Sequence, residues 1–258
     1  MSYIVSNHTL KAKFTFQGTK LGIQPSPIVS RLSSRGPNPD TPYLLKPDII
    51  APGVNILAGW TGKGSPTKLQ DDPRRVEFNL LSGTSMACPH RLYNLHLYNT
   101  YKNGKELLDV ETGKPATPFD LGAGHVDPVS ALNPGLVYNA STDDYLSFLC
   151  ALNYSSTDIR TFYDKTFECV KGKKYRAEDL NYPSFAVPLS TGLGQTVVKY
   201  TRTLTNVGTP TTYKVSTSSK THAVKIKVEP EELTFIKKNE KKMYTVTFTA
   251  YFYACGNC

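Results

Sequence analysis

From residue 179 onward the chain repeats one pattern. "PSFAVPL", "TVVKYTRTLTNVG", "TTYKVSTSS", "VKIKVEP", "ELTFIKK" and "MYTVTFTAYF" are short alternating runs separated by turn residues. Alternation with period two sends one side of each run into a core and the other into water. Runs of this kind, at roughly ten-residue spacing, are the pattern of an all-β sandwich.

The chain before residue 179 reads differently. "KAKFTFQGTK" within residues 1–20 suggests a strand and a turn. "IVSRLSS", "RGPNPDTP" and "KPDIIAPGVNILAGW", within residues 28–60, are short β-branched runs cut by Gly and Pro, so they read as strands between tight loops. Residues 61–77 are polar and read as an exposed loop, and "VEFNLLSGTS" reads as a strand entering a turn. "HRLYNLHLYNTYKNGKELL" is expected to be a short helix ending near Asn103 and Gly104. "STDDYLSFLCALNYSSTDIR" (141–160) predicts one or two helices, with Ser141 or Thr142 as cap and Asp143 and Asp144 in the first turn. A mixed α/β segment therefore precedes a smaller β-domain, with no internal repeat.

At 258 residues the chain is long enough for one or two domains, and 39% apolar with 20% charged is an ordinary globular balance. No apolar run approaches 18 residues, so no membrane span is expected. "MSYIVSNHTLKAKF" lacks a continuous apolar stretch, so no secretory leader is read in it. The five cysteines (Cys88, Cys150, Cys169, Cys255, Cys258) leave at least one unpaired and show no zinc-type spacing. Cys150 and Cys169 are able to close a small loop. Three N-glycosylation triplets begin at Asn7, Asn139 and Asn153 and lean toward a secreted chain. The net charge is +9, with basic residues concentrated late, in "KIKVEP" and "FIKKNEKKM". These read first as a solvated face of the β-domain. An acidic polysaccharide is a partner such a face could meet, whereas nucleic acid is not expected, since no stacking aromatics or nucleic-acid motif accompany the charge.

The stretch "SGTSMACPH" (82–90) carries the chemistry. A serine hydroxyl needs a base, an acid to orient it, and donors for the developing oxyanion. Gly83 and Thr84 allow close approach by a substrate. A serine at a helix start has unused backbone N–H groups beside it. The alternative is a serine that merely caps an ordinary helix.

"GTSMACPH" resembles the catalytic-serine motif of the subtilisin-like serine proteases, G-T-S-M-A-x-P-H, at every defined position. "SSRGPNP" (33–39) and "LKPDIIAPGVNILAGW" (45–60) resemble the segments before this serine in plant subtilases of the cucumisin-like group. "FDLGAGHVDPVSALNPGLVYNAS" (119–141) and "DLNYPSFAV" (179–187) resemble the segments after it. The resemblance implies a fragment. Residues 1–20 would be the tail of a protease-associated insert and 21–178 the C-terminal part of the peptidase domain. Residues 179–258 would be a truncated fibronectin-III-like domain. The implied fold is a partial, parallel-sheet α/β segment followed by an all-β sandwich, both incomplete. The implied activity is serine endopeptidase, acting on protein or peptide substrates through Ser85, in the extracellular cell wall. No metal or other cofactor is implied, and an acidic cell-wall polysaccharide is a possible further partner.

The same resemblance implies what this stretch lacks. The family's triad runs Asp, His, Ser in chain order, as in the subtilisin example. Upstream of Ser85 the one histidine, His8, has no glycine beside it, and Asp40, Asp48, Asp71 and Asp72 lack the D-[ST]-G context. Downstream substitutes fit poorly. On a helix from Ser85, His90 is turned roughly 140° away and lies roughly 7.5 Å along the axis, and His96 lies roughly 16 Å away. His125 looks structural by resemblance, and His222 falls in the β-domain. After "CPH" the family continues into a long apolar helix and a second one, which this chain skips near 90–98 before "NTYKNGKELLDV" resumes the match. The chain alone is therefore expected to be inactive, a pseudoprotease or binding module being the other reading. By resemblance Cys150 and Cys169 form a disulfide, Cys88 packs as a small residue, and Asp48 caps a local turn. Trp60 is expected in the core or a cleft wall.

Overall fold

The computed structural model describes residues 22–90, 96–165, 167–189 and 194–252. The expected strand within residues 1–20 and the triplet at Asn7 lie outside them.

The first part is built from short elements. Strands β1 (Ile56–Gly59) and β2 (Phe78–Leu81) pair antiparallel, with Leu57 opposite Leu80. Helix α1 (Thr84–Ala87) follows β2 directly and runs into a tight helical turn at Cys88–His90. β3 (His96–Tyr98) pairs antiparallel with β4 (His125–Asp127), and α2 (Pro118–Leu121) lies between them in sequence. β3 replaces part of the helix expected after Pro89. Pairing with a distant strand outweighs local helical preference there, and the turn at Gly104 then closes on Tyr101. Residues 91–95 of that helix, and with them half of the 90–98 junction, lie outside the described residues.

The expected parallel sheet is reduced to two isolated parallel bridges, Val29 with Asp109 and Ile50 with His125. All strands paired in sheets among the described residues run antiparallel. A small core still forms, with Val29, Leu107 and Leu121 buried and Ile50 and Tyr98 packed on them. Gly122 sits at φ 63°, and a Cβ there would collide with the carbonyls of Pro47 and Asp48, so only glycine lets α2 end against that segment. Arg35 ties the pieces together through Asp109, Glu111 and Asp120.

Helices α3 (Thr142–Ala151) and α4 (Ser156–Arg160) occupy the region expected to be helical. Each begins with a capping box, Ser141 with Asp144 and Ser155 with Asp158. A disulfide joins Cys150 to Cys169 across a separation of 19 residues, and Leu146 and Ile159 are buried beside it.

The β-domain contains β5 (Leu136–Val137), β6 (Gly194–Asn206), β7 (Thr211–Lys214), β8 (Val224–Glu229), β9 (Glu232–Phe235) and β10 (Lys241–Phe252). One sheet has the order β5-β6-β10-β8 and the other pairs β7 with β9. Tyr200, Val228, Val246 and Ala250 point inward from the first sheet and Phe235 from the second, all buried. "PSFAVPL" forms no strand. It runs as an extended strap along β6, because Arg202, 2% exposed, donates to the carbonyls of Tyr182 and Glu178 while Tyr200 donates to that of Ala186. The Arg202 guanidinium also stacks 4.8 Å from Phe185 and 5.3 Å from Tyr200. β5 comes from the α/β segment yet completes the sandwich sheet by pairing with Asn206 and Thr205. Tyr138, just after it, meets Tyr244 hydroxyl to hydroxyl at 2.6 Å.

Candidate active site

Ser85 is the second residue of α1 and is exposed. The turn carrying it is held from both sides. Gly83 donates its N–H to the carbonyl of Gly53 at 2.8 Å, and the Ser82 hydroxyl accepts from the N–H of Asn55 at 2.8 Å. "APG" and "SGTS" are thus locked face to face. A Cβ on Gly53 would come within 2.9 Å of the Gly83 carbonyl and 3.0 Å of the Ala87 methyl, so glycine is needed there for close approach. Met86 and Ala87 donate back to the Gly83 carbonyl. The N–H groups of Thr84 and Ser85 lie ahead of that ladder, where a helix leaves its donors unused.

A cleft of about 760 Å³ opens beside this turn. Val29, Ile50, Pro52, Gly83, Ala87 and His125 are among its walls. Thr84 and Cys88 also border it, whereas Ser85 is not among its lining residues. Cys88 is a free, exposed thiol rather than a packed one.

Among the histidines whose side chains are described, none is hydrogen-bonded to Ser85. The Nδ1 of His90 is 2.9 Å from the Met86 carbonyl, which ties that ring to its own helix. His125 is 9% exposed, with Nδ1 2.8 Å from the Val126 carbonyl and its ring 5.0 Å from that of Tyr98. Burial pushes its pKa below the ordinary value, so the imidazole stays neutral at neutral pH. His222 is exposed in the β-domain, and His8 lies outside the described residues. Among the described residues no backbone N–H donates to the Asp48 carboxylate, so the expected turn cap is not seen. That carboxylate pairs with Lys46 at 2.6 Å. Trp60 is half-buried and does not line the cleft beside Ser85; its indole N–H donates to Gly64 and Lys68 lies over its ring. Asn139 and Asn153 are exposed.

Residues 15–91 match the model of the Subtilase family, and residues 179–253 match a Fibronectin type-III domain. Subtilisin-like protease SBT1.7 of Arabidopsis thaliana is 53% identical over 268 residues, covering 96% of this chain and 35% of that protein. The chain belongs to the plant subtilases. Subtilisin-like proteases SBT1.4 and SBT1.6 of the same organism are 46% and 39% identical, over 95% and 96% of this chain and 35% of each relative. The chain thus spans about a third of the length of the subtilases it matches.

The contacts that hold the serine turn, Asn55 to Ser82 and Gly53 to Gly83, join residues about 30 apart, and their one trace in the sequence is the glycine in "APG".

Proposed function

We propose that this chain is the C-terminal part of a secreted subtilisin-like serine endopeptidase in which Ser85 is the residue acylated by protein or peptide substrates. The observation that carries the reading is the complete motif from Gly83 to His90, placed at the start of α1 with Ser85 exposed. The Ser85 N–H supplies one oxyanion donor. Residues 1–20 belong to an insert, 21–178 to the peptidase domain and 179–258 to the fibronectin-III-like domain. The site of action is extracellular, in the cell wall, consistent with a disulfide and exposed acceptors at Asn139 and Asn153.

The base and the acid come from segments other than the 258 residues here, so the isolated chain turns over no peptide. The matched spans of 268 and 274 residues exceed the chain's own 258, which supports an internal gap relative to the relatives. We place it at 90–98. Sequencing full-length transcript through that junction tests the placement. The chemical test uses a fluorophosphonate probe and a peptide substrate. Ser85-dependent labelling, lost in Ser85→Ala, is required of a chain that also carries the upstream Asp and His stretches. Substantial turnover by the 258-residue chain alone would overturn its inactivity.

A second reading is a non-catalytic secreted product that binds other proteins or wall material. The engagement of His90 by Met86, with Ser85 bonded to none of the histidines whose side chains are described, favours it for this chain in isolation.

A further inference from the structure

The outward face of the β-domain's larger sheet has a chemistry that the peptidase reading does not use. β10 runs in its centre, so the registers on both sides define rows across three strands. Thr247 lies between Lys199 of β6 and Lys227 of β8. Thr249 lies between Val197 and Lys225, and Thr245 between Thr201 and Glu229. Their neighbours in sequence, Tyr200, Val246, Val228 and Ala250, are the buried ones, so period two turns the lysine and threonine set to solvent. Lys199, Lys225 and Lys227 are all exposed.

We propose that this face docks a carboxylate-bearing polysaccharide, a proposal that rests on the extracellular reading above. Adjacent strands lie about 4.8 Å apart, which puts Lys199 and Lys227 about 10 Å apart across the face and Lys225 about 7 Å from Lys227 along β8. These are separations over which an extended polyuronate presents successive carboxylates. Lys227 is paired with Glu229 at 2.7 Å. Lys199 and Lys225 have no carboxylate within ion-pair distance among the described residues, so the face keeps a net positive charge. Lys225 Nζ stands 5.5 Å over the Tyr251 ring, an aromatic surface on which a sugar ring rests its C–H groups. The threonine hydroxyls on β10 supply short hydrogen-bonding groups between the cations.

Charge alone does not separate carboxylate from phosphate polyanions, since lysine pairs with both. The extracellular reading, with which the Cys150–Cys169 disulfide agrees, favours polyuronates over nucleic acids.

The test is co-sedimentation of the purified chain with de-esterified polygalacturonate, with neutral galactan as control, at low and physiological salt. The expected result is salt-sensitive retention by polygalacturonate alone. The triple variant Lys199→Glu, Lys225→Glu, Lys227→Glu is expected to weaken it about tenfold or more, and the three Lys→Gln changes less steeply. The matched triple Lys214→Glu, Lys237→Glu, Lys238→Glu has the same charge change off this face and is expected to lose little. Equal loss in both Glu triples would reduce the effect to bulk charge and overturn the proposal. So would equal retention on galactan, unchanged binding in the face triple, or tighter binding to a single-stranded RNA. In that case the exposed lysines of β8 serve only to guard a free sheet edge. None of these readouts depends on Ser85, so peptidase failure and docking failure are separable.

Discussion

The guanidinium of Arg35 lies 2.7 Å from the carboxylate of Asp109, 74 residues further along the chain. The same guanidinium reaches Glu111 at 3.0 Å and also Asp120. Three segments that share no sheet are thereby held around one cation. The fork of arginine makes this possible, one terminal nitrogen donating to Asp109 and Glu111 and the other to Asp120.

Arg35 holds the Asp109 carboxyl down to about 2 from its ordinary 3.8, the Arg35 hydrogen bond being the largest cause. A depressed carboxylate contributes stability above its unfolded pKa and loses it as pH falls through the folded one. The urea midpoint is therefore expected to drop between about pH 4 and pH 2, where Asp109 takes up its proton. In Arg35→Ala that segment of the pH profile flattens and the midpoint at pH 7 falls. An unchanged profile in the variant would show that the clamp carries no stability.

Arg202, unlike Arg35, is buried, and it has carbonyls and aromatic rings around it instead of a carboxylate. Arg202→Ala removes the anchors of the strap at 178–186 and leaves the Tyr182 and Glu178 carbonyls to find new donors. The expected loss is about 3 kcal/mol, read from denaturant unfolding. Amide exchange across 180–187 should accelerate more than across β8, and uniform acceleration would contradict a local anchoring role.

Local signals were legible in the sequence. Ser141 capping α3 follows from a serine three residues before an aspartate at the start of an apolar periodic run, and the β-domain follows from its alternation. The Ser85 motif was legible because it is an unbroken run of eight residues. What sequence missed is non-local. "LHLYNTY" looked helical because nothing nearby announces that His96–Tyr98 pairs with His125–Asp127. "PSFAVPL" alternates like a strand, and only Arg202 from across the sheet shows it to be a strap. The two-residue β5 is too short to carry a pattern at all. The parallel sheet shrank to two bridges because the segment retains Val29 and Ile50 without neighbouring parallel strands among the described residues.

The disulfide offers a third prediction. Cys150 closes a loop to Cys169 with a separation of 19 residues, beside the buried Leu146 and Ile159. Constraining a loop of this size in the unfolded chain is worth about 3 kcal/mol. Reductant, or the double change Cys150→Ala, Cys169→Ala, is expected to lower the unfolding midpoint accordingly. The wild-type chain in reductant and the double variant should then agree, and a double variant as stable as the oxidised chain would contradict the estimate.

The acceptor at Asn153 is coupled to a helix cap, and this gives the last prediction. Asn153 is exposed at φ 63°, a backbone position that Asn and Asp tolerate. Two residues on, Ser155 caps α4. Its hydroxyl donates to the Asp158 carboxylate at 2.7 Å and accepts from the Asp158 N–H at 3.2 Å. The hydroxyl that completes the glycosylation triplet is therefore hydrogen-bonded once α4 forms, and any glycan at Asn153 is expected to be added before this helix folds. Expressed through a secretory route, Ser155→Ala is expected to lose both the glycan and about 1 kcal/mol of cap stability. Asn153→Asp loses the glycan and keeps the cap, while Ser155→Thr keeps both. Mass spectrometry before and after enzymatic glycan removal, together with unfolding midpoints, separates the three. A Ser155→Thr chain that is fully folded and carries no glycan at Asn153 would sink the assignment.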